Sequence, residues 1–385
     1  MRLTINLAAI LISILTVCCS RRGVVNDHMG LVKVSEKNFE IDTLTNFKTW
    51  YLDVYETDTA TFIVYDNSYK SSIQFYDIKT EKLAKEINLI QTGPNGVGTI
   101  NGFYIHSLDS IYLLNISDMR LFRINRDGVV QEYFSFLNPT ESFPFSSMST
   151  PMIISGSPAI FYKGMLHLVA LPGMGPTRKE TFESGKVNFV FNINTGDYYL
   201  NFGYPGIYKI KNFGNFWGKI FRAKTGDERI VYSFAADENI QVTDYLTTTE
   251  YFAGSSFFND PTPYNDVSDM RSNNITSTMY GGIFYDKYRR LYYRIVTGGV
   301  EEPNQPDKFM ETYDEKPLSV IILNSNFEKI GETVLPSKTH DPLGVCVGPE
   351  GLYISNSNLF NPNLKENILS FSIYAPQKQA QAQSR

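Results

Sequence analysis

Cysteine is nearly absent: the chain has three in 385 residues, and two of them, Cys18 and Cys19, adjoin near the N-terminus. With Cys19 as the first mature residue, Cys346 is the only other cysteine and no intramolecular disulfide can form. A chain of this length can do without one, because a large core supplies stability. Cys346 lies in the apolar run Gly344-Val345-Cys346-Val347 and reads as a buried small hydrophobe. Histidine is almost as scarce. His28, His106, His167 and His340 are the whole set, and none stands at metal-ligand spacing from another His or Cys. The sequence also lacks an Asp-x-Asp-x-Asp-Gly calcium loop and a Gly-x-Ser-x-Gly elbow, so no cofactor, metal or catalytic residue is expected. Basic charge is short as well: 35 Lys and Arg against 40 Asp and Glu give a net charge of −5. The pairs Arg21-Arg22, Arg178-Lys179 and Arg289-Arg290 are too small for a basic patch, which excludes nucleic acid as a partner. Finally, no stretch after residue 20 shows an apolar 3.6-residue period, which excludes a mainly helical fold.

What is present in excess is aromatic. There are 25 Tyr and 27 Phe, and these residues suit pleated, half-buried surfaces. The stretch Asn101–Phe136 shows the consequence. Gly102–His106, Ser110–Asn115, Leu121–Asn125 and Val129–Phe136 read as four successive strands, with Arg126-Asp127-Gly128 as a tight turn. Ser110–Asn115 (SIYLLN) is apolar on consecutive positions, so both of its faces are buried. A four-stranded sheet cannot cover both faces itself; neighbouring copies must, which is the logic of a β-propeller blade. A blade of the same form precedes it, with strands at Tyr51–Tyr55, Thr61–Asp66, Ser72–Asp77 and Lys82–Asn88. The glycine-rich Thr92–Gly98 between them lacks a P-loop ending and a following helix, and reads as an inter-blade turn. Further blades cover about Met152–Tyr204, Phe216–Phe258 and Ile275–Leu335, and the last begins at His340.

The N-terminus is an address. A positive start at Arg2 and the apolar run Ile5–Val17 form a signal-peptide core too short to span a membrane. The run ends in Leu15-Thr16-Val17-Cys18-Cys19-Ser20, which resembles a bacterial lipobox. Cys19 follows a small residue and is favoured as the lipidated one; Cys18, at the right distance from Leu15, is the alternative. The partner implied is a membrane, held through acyl chains at roughly 0.8 kcal/mol per buried CH₂. Ser20-Arg21-Arg22 lacks the acidic residues that send some lipoproteins to the cell surface, so an outer-membrane anchor facing the periplasm is expected. The expected organisation is a lipoprotein signal peptide over 1–19, a tether over 20–30, one propeller domain over 31–376 and a disordered tail over 377–385.

Asp341-Pro342-Leu343-Gly344 followed by Gly351-Leu352-Tyr353-Ile354-Ser355-Asn356 resembles the repeat of NHL-type six-bladed propellers. With the lipobox, the blade spacing and the Asp-Ser-Ile-Tyr opening at Asp109, the whole chain resembles the uncharacterised bacterial six-bladed, TolB-like propeller lipoproteins, a domain-of-unknown-function family. The fold expected is all-β: a six-bladed propeller of four-stranded antiparallel blades. Its last blade has only three local strands, so Leu31–Ile41 is expected to pair with Asn367–Tyr374 and close the ring. Propellers bind ligands at the channel mouth, which makes Asn101, His106, His340, Asp341 and Asn356, all flanking inner strands, the candidate ligand-binding residues. The expected function is a non-catalytic scaffold for a small-molecule or protein partner. The alternative is a metal-dependent hydrolase or lactonase of the six-bladed type.

Overall fold

Residues 29–48, 51–136, 149–173, 179–214, 218–263, 270–302 and 314–379 are described by the computed structural model. The signal peptide, Cys18, Cys19 and most of the tether lie outside these residues, as do the last six positions.

Turn chemistry divides the chain into short antiparallel strands. At Arg126-Asp127-Gly128, the Asn125 side-chain oxygen accepts hydrogen bonds from the amides of Asp127 and Val129 at 3.0 Å, and Gly128 takes a φ of +78°. The first sheet contains β2 (Leu52–Glu56), β3 (Thr61–Asn67), β4 (Ser72–Asp77) and β5 (Lys82–Asn88), paired in that order. The second contains β6 (Phe103–Ser107), β7 (Ser110–Asn115), β8 (Arg120–Ile124) and β9 (Val130–Ser135). In the third, β10 (Thr150–Met152) and β11 (Ile160–Tyr162) both pair with β12 (Met165–Leu171), which continues to β13 (Lys186–Phe191) and β14 (Tyr198–Gly203). The fourth contains β15 (Ile220–Lys224), β16 (Ile230–Phe234), β17 (Asn239–Thr243) and β18 (Thr248–Phe252).

The last sheet has eight strands. One half is β19 (Met279–Asp286), β20 (Leu291–Thr297), β21 (Leu318–Leu323) and β22 (Lys329–Val334). The other half is β23 (Val345–Gly348), β24 (Gly351–Ser355), β25 (Ile368–Lys378) and the N-terminal β1 (Met29–Glu40). β1 pairs antiparallel with β25 from Met29↔Lys378 to Glu40↔Ile368, and meets β22 through the parallel pair Met29↔Gly331 and the Leu31 amide, which donates to Thr333 Oγ1 at 2.7 Å. A Cβ at Gly331 would meet the Met29 carbonyl oxygen at 1.9 Å, so only glycine admits that approach. β25 runs to Lys378, two residues into the segment expected to be a tail. β24 stops pairing with it at Tyr374, so Pro376 sits in an extension paired only to β1, where a missing N–H is tolerated.

The arrangement is propeller-like. Middle strands such as β7 bury nearly every side chain, whereas β5, β9, β14 and β18 are mainly exposed or half-buried. Ile111, Leu113 and Leu121 from the second sheet pack against Ile73 and Phe75 from the first and Leu166 and Phe189 from the third. Burying each such side chain contributes about 1.5–3 kcal/mol. The inner-edge strands β2, β6, β15, β19 and β23 surround a central cavity. Three short helices, α1 (Lys179–Glu183), α2 (Gly206–Ile210) and α3 (Met270–Thr276), lie in the connections.

Candidate functional site: a divided central cavity

The third sheet has a broken inner edge, and the break shapes the site. Between β10 and β11 the chain leaves the sheet as Ile153–Ala159 and crosses the central space. Ser155 Oγ accepts the Leu52 amide at 3.0 Å, a bond that reaches the inner edge of the first sheet. The Gly156 carbonyl accepts the Arg222 amide at 2.9 Å, and Ser157 Oγ donates to the Ile220 carbonyl, both on β15. Gly156 has a φ of +77°, and a Cβ there would lie 3.1 Å from the Gly282 Cα on β19, so this crossing requires glycine.

This strap separates two chambers, with Tyr51 and Ile154 lining both. Chamber one, about 530 Å³, lies where β2 and β6 begin and is walled by Lys48, Asp66, Asn101 and Met152 among others. Burial pushes the Asp66 carboxyl up to about 7. Lys48 pairs with Asp314 at 3.3 Å on the same rim. Chamber two, about 580 Å³, lies along β2, β15, β19 and β23 and opens where those strands end. Its wall carries the rings of Tyr104, Phe161, Phe284, Tyr285 and Tyr288, together with the buried thiol of Cys346, which burial pushes well above the usual thiol range. Both volumes fall in the range of small-molecule sites, which are largely apolar with a few placed polar groups.

The charges of chamber two are mostly spoken for. Arg222 is fully buried and donates to the carbonyls of His167 at 2.6 Å and Pro158 at 3.2 Å and to Asn188 Oδ1 at 2.8 Å. Lys224 pairs with Glu228 at 2.6 Å. Glu56, at the end of β2, accepts from Lys287 and from the Tyr288 hydroxyl on the β19–β20 turn. Asp53 is different. It is open to the cavity yet walled by protein, and dehydration pushes its carboxyl up to about 6, against hydrogen bonds from the Val54 amide at 2.8 Å and the Tyr51 hydroxyl at 3.3 Å. Among the described residues no three His, Cys, Asp or Glu side chains group to hold a metal ion.

The five residues read from sequence fall in different places. Asn101 lines chamber one, and its side-chain oxygen accepts the Ile116 amide at 2.9 Å. His106 is exposed at the end of β6, its ring 4.8 Å from Phe161 of chamber two. His340 is buried with Nε2 2.8 Å from the Tyr374 hydroxyl, and burial pushes it down to about 4. Asp341 accepts the Leu343 amide at 3.0 Å within its own turn, and its carboxyl is raised by burial. Asn356 donates to Ser370 Oγ at 2.8 Å and accepts from Ser372 Oγ at 2.9 Å, beside a separate polar cleft that it lines with Lys33, Glu36 and Asn361. Only Asn101 borders a chamber. Asp53, Tyr104 and the strap escaped the sequence reading. The signals for them were a carboxylate inside the strand Leu52–Glu56 and a Ser-Gly-Ser triplet interrupting an apolar run, the mark of a close backbone approach.

Among solved structures, a member of the DUF4221 family from Bacteroides vulgatus is similar at 28% identity and a TM-score of 0.82, over 92% of this chain and 99% of that one. A Bacteroides fragilis protein named provisionally as exported is similar at 12% identity and a TM-score of 0.55, over 93% and 98% of the two chains. No curated protein matches the chain. Residues 29–334 match the family described as a domain of unknown function (DUF4221), and by that match over most of its length the chain belongs to this family.

Proposed function

We propose that the protein is a cell-envelope lipoprotein, anchored through Cys19 in the outer membrane and facing the periplasm, whose six-bladed propeller binds a small molecule or a protein partner without chemistry. The observation that carries this reading is the divided cavity: two chambers of ligand size, one bounded by polar connecting segments where β2 and β6 begin, the other walled by inner strands, aromatic rings and few uncommitted polar groups. Six blades follow from treating the eight-stranded sheet as two, β19–β22 and β23–β24–β25–β1, joined by a single bridge beside four separate sheets. On that count β1 is the outermost strand of the sixth blade and closes the ring without a covalent link. The lipobox supports the anchor, and the similarity to a protein named provisionally as exported agrees with an extracytoplasmic site. Asn101 remains the sequence-derived residue best placed to meet a ligand, since it lines chamber one, while His106 lies outside both chambers beside Phe161. The hydrolase or lactonase alternative calls for metal ligands converging on the channel axis, and no such group supports it among the described residues.

Native mass spectrometry of the full chain, extracted from the membranes of its own cell, tests the reading. Val54 lines chamber two and is only half-buried, so Val54→Trp fills the chamber from its wall. A small-molecule adduct or co-purifying chain should be present on the wild type and lost from this variant. Identical spectra for the two proteins would overturn binding in this chamber.

A further inference from the structure

We propose that chamber two takes an organic cation, an amine or quaternary ammonium with an aromatic or apolar body. The inference rests on the binding reading above and names the class of ligand. Asp53 carries it. Of the two carboxylates lining the chamber, Glu56 is occupied by Lys287 and Tyr288, whereas Asp53 has no cationic partner among the described residues and accepts only from the Tyr51 hydroxyl and the Val54 amide. The cations of the wall cannot reach across to compensate it, since Arg222, Lys224 and Lys287 are each held by groups of their own. A cavity-facing carboxylate with no cation of its own gains from an incoming positive charge that neutralises it between protein walls.

The rings supply the second half of the recognition. Tyr104, Phe161, Tyr285 and Tyr288 line the same space, and ring faces attract cations that have shed part of their water. At the rim of the chamber the exposed Lys287 ammonium already lies 5.3 Å from the centroid of the Tyr288 ring. A small hard metal ion fits poorly, because it demands several oxygen ligands where the chamber offers one uncommitted carboxylate. An anionic ligand would meet the Asp53 charge directly.

Isothermal titration of the full chain tests the class. The cationic probe is benzyltrimethylammonium, with benzenesulfonate as its anionic and benzyl alcohol as its neutral counterpart. Benzyltrimethylammonium should bind the wild type, bind Asp53→Asn about tenfold or more weakly, bind Tyr104→Leu more weakly than the wild type, and lose binding in Val54→Trp. Asp53→Asn is isosteric and should melt cooperatively, which makes its loss of binding interpretable. An unchanged affinity in Asp53→Asn, cation binding that survives Val54→Trp, or no cation binding at millimolar probe would each overturn the inference. Benzenesulfonate or benzyl alcohol binding as tightly as the cation, and lost in Val54→Trp, would also overturn the cation class while leaving chamber two standing as a binding site.

Discussion

His340 begins the segment leading into β23, and its ring is tied to Tyr374 on β25, two elements brought together only by the fold. Burial holds its pKa at about 4, against 6.5 in an exposed ring. The folded state therefore binds fewer protons than the unfolded chain between these values. The stability this histidine contributes is complete above pH 6.5 and is lost as pH falls through 6.5 towards 4. At about 1.4 kcal/mol per pKa unit, the loss by pH 4 is on the order of 3 kcal/mol. His340→Gln keeps a polar partner for Tyr374 and removes the titration, so its urea midpoint should fall less than the wild type's between pH 7 and pH 4. A parallel fall in both proteins would show that the ring does not titrate in this way. At this scale the sequence was only partly legible. It flagged His340, Asp341 and Asn356 as chemistry-bearing types, but it carried no sign that His340 would meet Tyr374 or that Asn356 would meet Ser370 and Ser372 across the sheet. Asp53 was invisible for the same reason, because its meaning comes from what encloses it.

Strands were the most legible level. Ser72–Asp77, Lys82–Asn88 and Ser110–Asn115 coincide with the runs read from sequence, because turn residues bound each of them. β15 and β18 were missed. Arg222 sits in the middle of β15 and is buried against carbonyls of the third sheet, while Thr248-Thr249-Glu250 faces solvent on an outer edge, so neither shows a two-residue apolar alternation. The short helices carry no period of their own; α2 is held by Tyr208, which packs among Phe182, Phe213 and Phe234. The expected pairing of Leu31–Ile41 with Asn367–Tyr374 corresponds to the β1–β25 register. Its anchor is Phe39, fully buried and edge-on to Tyr76 at 5.6 Å and Phe371 at 6.2 Å. Phe39→Ala should cost about 3–5 kcal/mol through the cavity it leaves, measured by urea unfolding, and should make β25 an early site of limited proteolysis. A cost below about 1 kcal/mol would mean that β1 contributes little to the core, since surface-like substitutions fall in that range.

For the whole molecule, composition and spacing pointed to an all-β, propeller-like chain, and the proposed anchor sets its address. Replacing Cys19 with Ala should release the protein from the membrane fraction in detergent-free extraction; if the variant still pellets as the wild type does, the anchor lies elsewhere. The strap was beyond the reach of sequence because it is a tertiary crossing, fixed by two serine hydroxyls and one glycine that meet the inner strands of three other sheets. It also decides what kind of vessel the molecule is. Among the described residues Ile154–Gly156 stands between the two proposed binding spaces, which makes them separate wells with separate mouths. Two unrelated guests can then sit in the protein together, neither displacing the other, and a competitor that empties one well leaves the other's occupant undisturbed.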